Sequence, residues 1–123
     1  MLLIYRLLIN LTIILSPLII AIRLIKKKEH PSRFKEKFCF FTRKRVHGKL
    51  VWFHGASVGE ILSIIPLIEK LEKNQQIKQI LITSSTLSSA NVISKFNFKK
   101  ITHQFFPIDS NHFVKKFINY WKP

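Results

Sequence analysis

The chain is short of cysteine, glycine and acid. Its one cysteine, Cys39, excludes an internal disulfide, has no CxxC partner for a metal and fits a reducing compartment. With three glycines in 123 residues there is no Walker A sequence, and the turn GASVGE is not a GxGxxG dinucleotide fingerprint. His30, His47, His103 and His112 lack metal-ligand spacing, so no metal and no cofactor are expected. Six acids stand against 21 Lys and Arg, a formal net charge of +15. Such a balance suits an anionic partner: nucleic acid, an acidic membrane face or a phosphorylated substrate. Part of the excess goes with the abundance of Ile, Lys, Asn and Phe that a biased base composition produces. No RNP, KH, zinc-finger or helix-turn-helix pattern accompanies it, so nucleic acid is not the expected partner.

What is present begins with a hydrophobic segment. Residues 2–25 are almost wholly apolar, with an uncharged core from Leu7 to Ile22 and Arg6 and Arg23 at its ends. With the arginines snorkelling, this reaches the roughly 20 residues needed to span a bilayer. Pro17 is tolerated in a membrane helix. A helix lying in the interface is the alternative reading, and a cleaved signal peptide a third, although no small-x-small site precedes the Lys run. Arg23, Lys26, Lys27, Lys28, Arg33, Lys35 and Lys37 lie on the C-terminal side of the core and only Arg6 precedes it. The positive-inside rule then puts the C-terminal side of the helix in the cytoplasm, on the inner face of the cell membrane.

Residues 26–49 carry ten Lys and Arg against Glu29 and Glu36. They read as a basic juxtamembrane segment resting on anionic head groups, each cation worth about 1 kcal/mol there. Binding of an acceptor's phosphates is the sharper alternative. Pro31 and Ser32 look like a helix start for SRFKEKFCFF, with Phe34, Phe38 and Phe41 at helical spacing.

From residue 50 to residue 123 the pattern is α/β. Strands are expected at 50–53, 77–83 and 101–106. Helices are expected at 58–73, 86–96 and 111–120, the first kinked after two turns by Pro66. Three β-α units in a row imply a parallel sheet, the first half of a Rossmann-like domain. The division expected is therefore 1–25 anchor, 26–49 basic segment and 50–123 partial α/β domain.

Parallel strands bring their strand-to-helix turns to one rim, where ligands bind in open α/β sheets. The rim groups are His54, Ser57, Glu60, Ser84, Ser85, Thr86 and Asp109. Ser57 followed by Glu60 ahead of an apolar run is a capping box, with Ser57 taking the Glu60 N–H and Glu60 reaching back to the Ser57 N–H. A catalytic carboxylate is the alternative for Glu60. Asp109 is most simply the cap of the last helix. Ser84, Ser85 and Thr86 are most simply strand-end and cap residues, with anion or hydroxyl binding as the alternative. His54 is either packed or a rim ligand.

HGASVGE after an apolar strand, ILITSSTLSSANVI about 20 residues on, and HQFFPIDSNHFVKKF resemble the bacterial 3-deoxy-D-manno-octulosonic acid (Kdo) transferases. The hydrophobic N-terminal helix and RFKEKF fit the same pattern. The resemblance implies a membrane-anchored, metal-independent glycosyltransferase of the GT-B fold, with two Rossmann-like domains facing a cleft. It implies transfer of Kdo from CMP-Kdo to lipid IVA, in lipopolysaccharide (lipid A) synthesis, at the cytoplasmic face of the inner membrane. It makes Glu60 the general base. Two departures concern the loops: Thr86-Leu87-Ser88-Ser89 stands where the family has a Thr-Pro-Thr-Gly-like run, and Asn111 where proline is common. The third is length, since the family continues through the rest of the acceptor domain and a CMP-binding domain. The chain is accordingly expected to be an N-terminal fragment with little or no transferase activity alone. The alternative is a membrane-tethered, non-enzymatic remnant or half-protein that binds a lipid A precursor or a C-terminal partner.

Overall fold

The computed structural model describes residues 1–27 and 30–123. Lys28 and Glu29, counted above in the basic segment, lie outside the described residues. In chain order the elements are α1 (Leu2–Ile25), a 3-10 helix (Phe34–Phe38), β1 (Lys49–His54), α2 (Val58–Lys73), β2 (Ile77–Ser84), α3 (Leu87–Ser94), β3 (Ile101–Phe105) and α4 (Asn111–Trp121).

The strands form one parallel sheet in the order β1-β2-β3. His54 pairs with Thr83 and Ser84 with Phe105, so all three strands finish at one edge. Side chains alternate across the sheet and divide the core in two. Ile80 and Ile82 join Ile61, Ile65 and Ile68 of α2 and Ile93 of α3 on one face. Leu50 and Leu81 join Phe117 and Trp121 of α4, with Cys39, on the other. Each fully buried Ile contributes about 2 kcal/mol relative to exposure. The connecting helices α2 and α3 therefore cover one face, and α4 crosses to the other. Gly55 permits the tight return from β1 into α2, since a Cβ there would meet Ile61 Cδ1 at 2.6 Å. Gly48, with φ of 119°, turns the chain into β1.

The segment SRFKEKFCFF is not the helix that its phenylalanine spacing suggests. The 3-10 helix ends after five residues at Cys39, whose φ is 57°. Its start is set by His30, whose Nδ1 accepts from the Ser32 and Arg33 N–H groups at 3.3 and 3.2 Å. The reason is a long-range demand from the sheet. β3 is an edge strand, and an open edge leaves N–H and C=O groups without partners. The Glu36 carboxylate accepts from the Phe105 N–H at 2.9 Å, and the Arg33 guanidinium donates to the His103 carbonyl at 2.6 Å. Arg33 and Glu36 also pair with each other at 3.0 Å, with the carboxylate fully buried. Thr42 donates to the same carboxylate. Just past the strand, the Ile108 N–H donates to the Lys37 carbonyl at 2.9 Å. Two side chains thus do the work of a neighbouring strand, and Arg33 turns inward rather than to phosphate. Phe41 leaves the helical series and stacks on Tyr120, 3.8 Å between ring centres.

α1 is long and apolar enough to cross a membrane. At 1.5 Å per residue its 24 residues span about 36 Å. Pro17 cannot donate to the Ile13 carbonyl, and the Ser16 hydroxyl takes that role at 2.6 Å. α2 runs unbroken across Pro66, which lies on its exposed side.

Candidate functional site

The carboxyl edge of the sheet carries the three turns that the sequence places there. The first leaves β1 at His54, with the Gly55 N–H held by the Thr83 carbonyl at 3.0 Å, and enters α2. Ser57 caps α2 by accepting from the Glu60 N–H at 3.3 Å. Glu60 does not reach back to Ser57. Its Oε2 accepts from the Ala56 N–H at 2.8 Å, one residue earlier. Glu60 is exposed at the positive end of the helix dipole, and among the described residues its Oε1 takes no hydrogen bond.

The second turn separates its three hydroxyls. Ser84 is fully buried within β2, with Oγ 2.7 Å from His103 Nε2, and so does not reach the rim. Ser85 is half-buried in the turn. Thr86 caps α3, accepting from the Ser89 N–H at 3.2 Å, so the helix starts one residue later than the pattern suggests. At the third turn Asp109 is not the cap of α4. Ser110 is, accepting from the Phe113 N–H at 3.3 Å. Asp109 instead lines a cleft of about 660 Å³ between α1 and the start of α4, with Tyr5, Arg6, Asn10 and His112. Among the described residues no hydrogen bond joins Glu60 to His54, Thr86 or Asp109.

His54 is exposed and tied down at once. Its Nδ1 lies 3.0 Å from the hydroxyl of buried Thr83, which also accepts from Trp52 Nε1 at 2.9 Å. Its ring packs against Phe106 at 4.5 Å. Thr83 is absent from the rim groups that the sequence suggests. Its only signal there is a lone hydroxyl in an apolar strand, with too little alternation around it to tell which face it serves. Also absent is the network behind the second turn: Ser84, His103, Arg33 and Glu36. Burial, and then the charges of Arg33 and Arg43, hold the His103 pKa down at about 3. Cys39 is buried, its thiol donating to the Phe113 carbonyl at 3.1 Å, and burial raises its pKa.

The turns themselves, 54–60, 84–89 and 106–111, contain no Lys or Arg.

Residues 32–123 match the family described as 3-Deoxy-D-manno-octulosonic-acid transferase (kdotransferase). Among individual relatives, the 3-deoxy-D-manno-octulosonic acid transferase of Rickettsia bellii is 41% identical over 105 residues, covering 85% of this chain and 25% of the relative. The probable mitochondrial 3-deoxy-D-manno-octulosonic acid transferase of Arabidopsis thaliana is 37% identical over 123 residues, covering 98% and 28%. The Haemophilus influenzae transferase is 25% identical over 118 residues, covering 93% and 28%. The chain thus spans about a quarter of the length of these relatives. No solved structure matches it. An apolar N-terminal helix, a parallel α/β sheet and a match over three-quarters of the chain lead to one conclusion: the chain belongs to the 3-deoxy-D-manno-octulosonic-acid transferase family.

Proposed function

We propose that this chain forms the acceptor side of a GT-B glycosyltransferase that moves Kdo from CMP-Kdo to lipid IVA, in lipopolysaccharide synthesis and without a metal. Family membership and the relatives' names support the transferred sugar. Helices α2 and α3 on one face of a parallel sheet, with α4 on the other, suit the first half of a Rossmann-like domain. α1 anchors it in the inner membrane with residues 50–123 on the cytoplasmic side.

The observation that carries the reading is the state of Glu60. One oxygen is anchored on the Ala56 N–H and the other is free at the carboxyl edge. An acceptor hydroxyl attacks the anomeric carbon of Kdo, the bond from that carbon to the CMP phosphate oxygen breaks, and CMP leaves with the electron pair. Glu60 Oε1 receives the hydroxyl proton as the new bond forms, through a transition state of oxocarbenium character. The α2 dipole keeps the carboxylate charged beforehand, an effect of about 0.3–1 kcal/mol.

Two substitutions separate this role from capping. Glu60→Gln keeps an oxygen for the Ala56 N–H and loses basicity, while Glu60→Ala loses both. Transfer from CMP-Kdo to lipid IVA is measured in membranes carrying the chain together with the remaining portion of a relative. Glu60→Gln is expected to fold normally and to lower transfer by about 10²-fold or more. Transfer near the unsubstituted level in Glu60→Gln would return Glu60 to a cap. No transfer by the unsubstituted pair, with both parts in the membrane, would leave a tethered, non-enzymatic module.

A further inference from the structure

His54 and Thr83 form a device whose hydrogen bonds can be followed atom by atom. Trp52 Nε1–H can only donate, and it occupies one lone pair of the Thr83 hydroxyl at 2.9 Å. The single Thr83 proton has two acceptors in reach, His54 Nδ1 at 3.0 Å and the Phe53 carbonyl at 3.4 Å. When it points to Nδ1, the ring proton sits on Nε2. When it turns to the Phe53 carbonyl, Nδ1–H donates to Thr83, and Nε2 carries either a lone pair or a second proton. In each state Nδ1 is satisfied inside the fold. The ring is fixed from one side by Phe106, and Trp52 is itself held by Phe117 at 5.2 Å. Thr83 is fully buried, whereas His54 is exposed at the end of β1. The fold therefore presents Nε2 outward, in either charge state, without moving the ring.

We propose that Thr83 is a positioning residue, holding His54 so that Nε2 binds an anionic group, carboxylate or phosphate, of a substrate at the carboxyl edge. The assignment rests on the transferase reading for the identity of that substrate, but not for the anion binding itself. Nε2–H is the donor to the anion, and the Thr83 hydroxyl serves it whether it donates to Nδ1 or accepts from Nδ1–H. A packed histidine with a structural role alone needs no outward nitrogen and has no response to anions.

The test is ¹⁵N NMR of the histidine rings in the full chain, reconstituted in neutral lipid nanodiscs at pH 6.5, with His54→Gln to assign the signal. Inorganic phosphate and acetate are titrated separately, so that the arms distinguish a phosphate from a carboxylate ligand. The His54 Nε2 signal is expected to shift with at least one of them. Thr83→Val, nearly the same shape without the hydroxyl, is expected to weaken that response by about tenfold. Thr83→Ser, which restores the hydroxyl, is expected to recover it and guards against a merely misfolded Val variant. A signal that moves with neither anion, or that moves equally in Thr83→Val, overturns the proposal. The anion response with no transfer in the Glu60 experiment would sink the transferase reading and leave this one standing.

Discussion

His103 has Nε2 2.7 Å from the Ser84 hydroxyl and Nδ1 3.0 Å from the Arg33 guanidinium. A guanidinium only donates, so Nδ1 accepts and the neutral ring carries its proton on Nε2. A second proton would have to enter a buried site already facing Arg33 and Arg43, and the folded pKa falls to about 3 from an ordinary 6.5. Between these values the unfolded chain binds the proton and the folded chain does not. The contribution to stability is therefore complete above about pH 6.5 and is lost as pH falls toward 3. It amounts to a few kcal/mol at most. Urea midpoints of the micelle-solubilised chain, taken at pH 7 and pH 5, should fall more steeply for the unsubstituted chain than for His103→Gln, which does not titrate. Equal slopes would mean that His103 is solvated or already charged in the folded state.

At the level of elements, the 3-10 helix is a plug for the β3 edge rather than a spacer after α1. Arg33 at its N-cap holds the His103 carbonyl, and Glu36 at its centre holds the Phe105 N–H. Removing one partner of a buried pair leaves the other charge uncompensated. Arg33→Met should thus destabilise the chain by about 3 kcal/mol in urea unfolding. Arg33→Met combined with Glu36→Gln should recover part of that loss, because an uncharged amide still accepts from Phe105. A loss below about 1 kcal/mol for Arg33→Met would show the edge to be satisfied by water instead. The contrast with α2 shows what a sequence can reveal. The bounds of α2 follow from local chemistry: Ser57 caps it, apolar residues recur at helical spacing, and the helix stops at Asn74 before the β2 run. The rim is legible for the same reason, since apolar strands followed by turns must converge in a parallel sheet. The plug is not legible, because Glu36 answers to a strand 69 residues away and local patterning registers it only as one acid in a basic run. The capping difference at Asp109 is of another kind. Both Asp109 and Ser110 are good caps, and the geometry of the turn after Pro107 chooses between them.

Across the whole molecule, two groups of cations stand away from the rim turns. In a parallel sheet the strand starts and the ends of the helices that come after the strands share one edge. Lys49 and Lys78 stand at strand starts, Lys99 and Lys100 just before β3, and Lys73, Lys95 and Lys122 at helix ends. These face away from the candidate site, and those at helix ends complement the dipoles there. The second group, Arg23, Lys26 and Lys27, comes directly after the apolar stretch of α1, against Arg6 alone before it. Of these two groups, the second, together with Lys28, Lys35 and Lys37 just beyond it, lies near enough to the apolar stretch to bias orientation. The first would be carried passively to whichever side the second dictates. Reporter fusions after Pro123 separate the two topologies. On the proposed orientation, with the fused end in the cytoplasm, a fluorescent protein fused there should fluoresce and alkaline phosphatase fused there should be inactive. Exchanging Arg23, Lys26, Lys27, Lys28, Lys35 and Lys37 for Gln, with Arg6 retained, should raise phosphatase activity several-fold by weakening the bias. Neutralising Lys73, Lys95 and Lys122 instead should leave the reporters unchanged. An active phosphatase on the unsubstituted chain would reverse the proposed orientation and remove the candidate site from the compartment in which its proposed donor is found.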